Sequence, residues 1–168
     1  ITDAFFIAFR IPSLLRRLFA EGSLSASFIP VFTEYLEKKS KKDAWVLVNA
    51  VIGTLSAVLI VITVLGIIFA PLVVKIIAPG FTIEKFELTV FLTRIIFPYI
   101  FFIALAALAM GILNSLKHFV VPALSPILLN VSMICAALFL SPLLEKPIVG
   151  LAIGVVVGGI LQLAIQIY

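Results

Sequence analysis

Apolar positions in this chain fall in long runs rather than in the alternating pattern of half-buried elements. Four runs carry no charge: Ala44–Val74, Ile95–Leu116, Phe119–Leu144 and Pro147–Tyr168. About 20 apolar residues in a helix cross a hydrocarbon core, so each run predicts a transmembrane helix. The run 44–74 is longer than a span needs, which predicts a tilt or a projection from the bilayer. The third span is expected to begin earlier, near Phe86, bringing Arg94 inside it. A further segment, Thr2–Tyr35, is apolar in composition yet carries Asp3, Arg10, Arg16, Arg17 and Glu21. The spans expected are 3–35, 44–76, 86–116, 119–142 and 147–168, an all-α polytopic membrane protein of about five transmembrane helices.

Helix breakers refine these spans. Pro12 removes one backbone hydrogen bond inside the first segment and predicts a kink or local unwinding there. Gly22 follows Glu21 and predicts the end of one helical piece, with Ser23 or Ser25 starting the next. Pro71, Pro79 and Gly80 close the second span. Pro98 interrupts the third, and Pro122 and Pro126 fall in the first turns of the fourth. Gly150, Gly154 and Gly158 repeat at four-residue spacing in the fifth, a small-residue stripe that predicts a packing face for a neighbouring helix.

Composition places the chain firmly in the membrane class. It has 168 residues, 64% hydrophobic and 12% charged, against about 45–50% and 25% in soluble domains. The net charge of +4 does not point to nucleic acid, because much of it comes from the lysines of 38–42. Loop 36–43 holds four lysines and the turn at Lys117 one, whereas Lys85 and Lys146 lie on the alternate side. Positive loops stay in the cytoplasm, so Ile1 is expected outside and Tyr168 inside. The chain opens on Ile1 without an initiator methionine and is expected to be a fragment.

The charges of the first segment are the candidate chemistry. A charged side chain at the bilayer centre costs about 2.5–3.5 kcal/mol on insertion scales. Five on one segment require an interface, mutual pairing or a water-filled cavity. On an ideal helix Asp3, Arg10, Arg17 and Glu21 share one side within about 40°, and Arg16 points about 140° from Asp3. Arg17 and Glu21 are also spaced to pair. Arg16 and Arg17 can mark the cytoplasmic interface and snorkel there. The apolar stretch continuing from Leu18 to Thr33 favours a cavity instead. Arg94 either completes that cavity or caps the outer interface. Guanidinium groups suit phosphate through bidentate hydrogen bonds, so the cavity fits an amphiphile with a phosphate-bearing headgroup. His118 and Cys135 have no partners at ligand spacing, and no metal or cofactor is expected. No Ser/His/Asp set, glycine-rich phosphate loop or carboxylate pair appears, so an enzyme is not favoured.

TDAFFIAFRIPSLLRRLFAEGSLSASFIPVFTEY resembles the second-helix signature of the MurJ (MviN) family of lipid II flippases. APGF at 78–81, FPYI at 97–100, ILNS at 112–115 and PALSPILLN at 122–130 extend the likeness over essentially the whole chain. The resemblance implies a fourteen-helix, two-lobed transporter of the multidrug/oligosaccharidyl-lipid/polysaccharide exporter superfamily, built around a cationic cavity in the bacterial cytoplasmic (inner) membrane. Residues 1–168 would then be part of its N-terminal lobe, about helices two to six. The cargo implied is the undecaprenyl-linked peptidoglycan precursor, with membrane lipids and the remaining transmembrane helices as further partners. It also implies that Asp3, Arg16 and Glu21 match the family's important intracavity carboxylate, arginine and acidic residue. The helical wheel prefers Arg17 to Arg16, and both stay candidates. Rival readings are another exporter of the superfamily, a noncatalytic membrane scaffold, and a membrane enzyme acting on lipid phosphates.

Overall fold

The apolar runs fold into helices that proline and capping residues cut at definite points. The structure, a computed structural model, describes residues 2–16 and 23–167, and side chains throughout these except at 15–16 and 23–26. Its helices are α1 (Thr2–Arg16), α2 (Ser23–Lys38), α3 (Lys41–Ile68), α4 (Ala70–Ile77), α5 (Ile83–Ile96), α6 (Tyr99–Ser115), α7 (Val120–Cys135) and α8 (Pro147–Ile167). No strand occurs among the described residues. Four helical stretches are long and apolar enough to cross a membrane: 41–68, 83–115, 120–143 and 147–167. The opening segment contributes two shorter helices, α1 and α2. The break expected at Gly22 lies outside the described residues.

Several boundaries differ from the sequence expectation, each for a local reason. The second span starts at Lys41 rather than at 44 because Ser40 and Asp43 form a capping box. The Asp43 amide donates to Ser40 Oγ at 3.2 Å, and the Ser40 amide donates to Asp43 Oδ2 at 3.4 Å. These bonds satisfy amides that a helix N-terminus leaves orphaned. The same span divides at Phe69, and Pro71 enters the first turn of α4, where a missing N–H is tolerated. The third span starts at Ile83 and breaks at Phe97–Pro98. Past Pro98 the ladder tightens, with the Ile100 amide on Phe97 O (3.0 Å) and the Phe101 amide on Pro98 O (3.1 Å). Pro12, by contrast, lies inside a helix that continues to Arg16.

Two large apolar cores hold the bundle, and a smaller third of Ala70, Val74 and Val90 joins α4 to α5. One large core gathers Ile11, Phe28, Phe32, Val48, Leu59, Phe97 and Ile100 from α1, α2, α3 and the α5–α6 joint. The other gathers Ala4, Phe5, Ala8, Leu92, Ile96, Tyr99 and Val155 from α1, α5, α6 and α8. Small residues set the closest approaches. A Cβ at Gly66 would overlap the Phe97 ring, so α3 crosses that joint tightly.

The α8 stripe packs as its spacing predicts. A Cβ at Gly154 would lie 2.7 Å from Ala136 Cβ, and one at Gly158 2.7 Å from Leu129 Cδ1. Opposite them α7 ends in a π-helical turn, Ala136–Leu140, and a 3-10 turn, Ser141–Leu143. Three side-chain hydrogen bonds also tie α7 to α8. Ser132 Oγ donates to Gly154 O (2.8 Å), Gln162 Nε2 to Ser125 O (3.0 Å) and Gln166 Nε2 to Ser125 Oγ (3.0 Å). In hydrocarbon such bonds hold helices where no hydrophobic force does. The outer faces of α3 and α7 are exposed and apolar, with Ile60, Val61, Ile127 and Val131 among them, as lipid contact requires.

Candidate charged strip and its surroundings

The polar strip is built on α1. Ala4, Phe5, Ala8, Ile11 and Pro12 are buried and fix one side of that helix in the bundle. Asp3 and Arg10 fall on the other side, both exposed together with Phe6 and Leu14. Seven residues apart, they share a face almost in line. Both precede Pro12, so the proline does not disturb their alignment. Arg16 closes α1 by its backbone, but its side chain lies outside the described set, as do Arg17 and Glu21 entirely.

Asp3 has a partner that sequence reasoning missed. Lys85 Nζ donates to Asp3 Oδ2 at 3.2 Å, joining the first turns of α1 and α5. Lys85 also stands 5.5 Å from the Phe81 ring centroid. It lines a cavity of about 690 Å³ with Thr82, Glu84, Glu87, Leu88, Phe91 and Lys146. From the sequence Lys85 counted only toward loop charge, because a pair spanning 82 positions leaves no local pattern.

Arg94 lies elsewhere. Nine positions after Lys85 on one helix, it points about 180° away from it. Its Nε donates to Ile67 O at 3.2 Å. That carbonyl belongs to the residue four before Pro71, whose ring nitrogen has no hydrogen to offer it. Arg94 therefore supplies the donor that the α3–α4 junction lacks. The structure does not bring it together with Asp3 and Arg10. Among the described residues no group of three His, Cys, Asp or Glu side chains is placed to hold a metal.

A helical bundle with four membrane-length helices, apolar outer faces and a charged face on α1 has the build of a multi-pass membrane protein. The profile of the family described as lipid II flippase MurJ matches residues 1–168. This chain belongs to that family. It is 46% identical over 168 residues to the lipid II flippase MurJ of Burkholderia cenocepacia, covering 99% of this chain and 33% of that protein. The probable lipid II flippase MurJ of Rickettsia prowazekii is 47% identical over 162 residues, covering 95% of this chain and 32% of the relative. A solved structure described as lipid II flippase MurJ in an inward closed conformation superposes with a TM-score of 0.83 at 32% identity. It covers 99% of this chain and 34% of its own. The chain thus spans about a third of the length of the relatives it matches.

Proposed function

We propose that this chain is part of the N-terminal lobe of a lipid II flippase. In the whole protein it helps carry the undecaprenyl-linked peptidoglycan precursor from the inner to the outer leaflet of the bacterial cytoplasmic membrane. The observation that carries this reading is the exposed α1 face bearing Asp3 and Arg10 in a bundle otherwise built for lipid. Such a face is tolerated where water or a polar cargo meets it. Arg10, Arg16 and Arg17 are assigned to the phosphate-bearing headgroup, as guanidinium chemistry suits. Glu21 is assigned to holding those arginines in place and limiting how tightly the anion is gripped, while Asp3 is tied to Lys85. Arg94 is assigned to the helix junction rather than to the cargo.

The mechanism follows from binding that differs between two states. A cargo bound equally by inward- and outward-open forms shifts neither, so a carboxylate beside the arginines, Glu21, favours release. Alternating access needs a second lobe to rock against this one, so transport belongs to the full-length protein. The activity is movement of a lipid, not bond chemistry, and no cofactor enters it. The test is the full-length protein in vesicles carrying the lipid-linked precursor on one leaflet. Transfer that an unrelated polyprenyl-linked glycan competes with poorly is the expected result. Transfer of drugs or unrelated glycans with none of the precursor would replace this reading by another exporter.

A further inference from the structure

Lys85 occupies an awkward position. It lies in the first turn of α5, where the helix dipole favours carboxylates and disfavours a cation. Glu84 and Glu87 flank it in sequence, but residues one and two apart on a helix do not face each other. The ammonium instead crosses to Asp3 on α1. Of the ion pairs among the described residues, this one alone joins two helices, since Lys38–Glu34 lies within α2. The fit of α1 on α5 does not depend on it, because Ala4, Phe5 and Ala8 pack there with Leu92 and Ile96. With side-chain exposures of 42% for Lys85 and 68% for Asp3, the pair is well solvated and contributes little to stability. Stability does not explain it.

We propose that Lys85 is a positioning residue for Asp3. It holds the carboxylate against α5 at the rim of the 690 Å³ cavity and cancels the carboxylate's field along the charged strip. An unpaired Asp3 would repel an anionic headgroup passing Arg10, whereas an Asp3 paired with Lys85 opposes it less. This role rests on the proposed transport of a phosphate-bearing lipid and adds a residue to it.

The test uses the full-length protein with Cys135→Ala as background. Per folded molecule, Lys85→Gln is expected to slow precursor delivery about fivefold, the size of an exposed pair's coupling. Lys85→Arg should keep delivery near wild type with unchanged thermal stability. In an Asp3→Asn background, Lys85→Gln should add almost nothing, because the partner it serves is gone. Losses that multiply, or normal delivery by Lys85→Gln, overturn the proposal. A second measurement needs no transport. Asp3→Cys with Lys85→Cys should cross-link through a short bifunctional thiol-reactive reagent, such as a bis-methanethiosulfonate, in membranes, and absence of the cross-link overturns the pairing. If the wild type delivers no precursor, the functional reading falls while the cross-link still decides whether the two residues meet.

Discussion

Gly154 shows what one missing methyl group does in this bundle. Its carbonyl accepts from Ser132, and its Cα faces Ala136 at the π-helical turn of α7. Gly154→Val would place new atoms against Ala136 Cβ and the α7 backbone at Ser132 and Met133, and overpacking of this kind costs about 1–3 kcal/mol. Thermal unfolding in detergent should show that loss. Gly53 is the matched control, since nothing lies within 4 Å of a Cβ added there. Gly53→Ala should hold stability or raise it by up to about 1 kcal/mol through helix propensity alone. The spacing of Gly150, Gly154 and Gly158 made this packing face legible in the sequence. The Gln162 and Gln166 bonds to Ser125 were not, because an amide in an apolar helix does not say which neighbour it meets.

Among the elements, the junction of α3, α4 and α5 shows how a visible charge takes a role that sequence cannot reveal. Arg94 stood out as a lone cation in an apolar span and left two readings open. Its bond to Ile67 O depends on Pro71 orphaning that carbonyl and on a helix crossing that brings residues 27 positions apart together. Arg94→Met should lower stability by about 1 kcal/mol, the net worth of one hydrogen bond. In a Pro71→Ala background the cost should shrink, because the alanine amide can donate to Ile67 O. Equal costs in both backgrounds, measured by the same unfolding assay, would disconnect Arg94 from Pro71. Helix ends were legible where one residue dominates, as at Pro98. They were misplaced where a cap recruits polar residues, as at Ser40, which draws Lys41 and Lys42 into α3.

At the scale of the whole molecule, the pattern of spans and the family signature carried the all-helical membrane fold from sequence. The placement of the strip came only with the structure, because burial of Ala4, Phe5 and Ala8 decides which side of α1 stays open. Orientation is a prediction at this scale. Cysteines introduced singly at Glu37 and Thr82, in a Cys135→Ala background, should label from opposite sides, position 37 only from the cytoplasm. Both sites are exposed, and neither side chain makes a capping bond, so labelling should not disturb the helices. The central claim is that the arginines of the opening segment grip an anionic lipid headgroup on its way across. Outer-leaflet delivery of the lipid-linked precursor by full-length Arg16→Ala, compared with wild type at equal membrane abundance, measures this directly. Hydrogen bonds to charged groups are worth about 1.5–3 kcal/mol, so delivery should fall about ten- to a hundredfold in a protein of unchanged thermal stability, with Arg17→Ala milder. Wild-type delivery by Arg16→Ala and by Arg17→Ala alike would contradict the account.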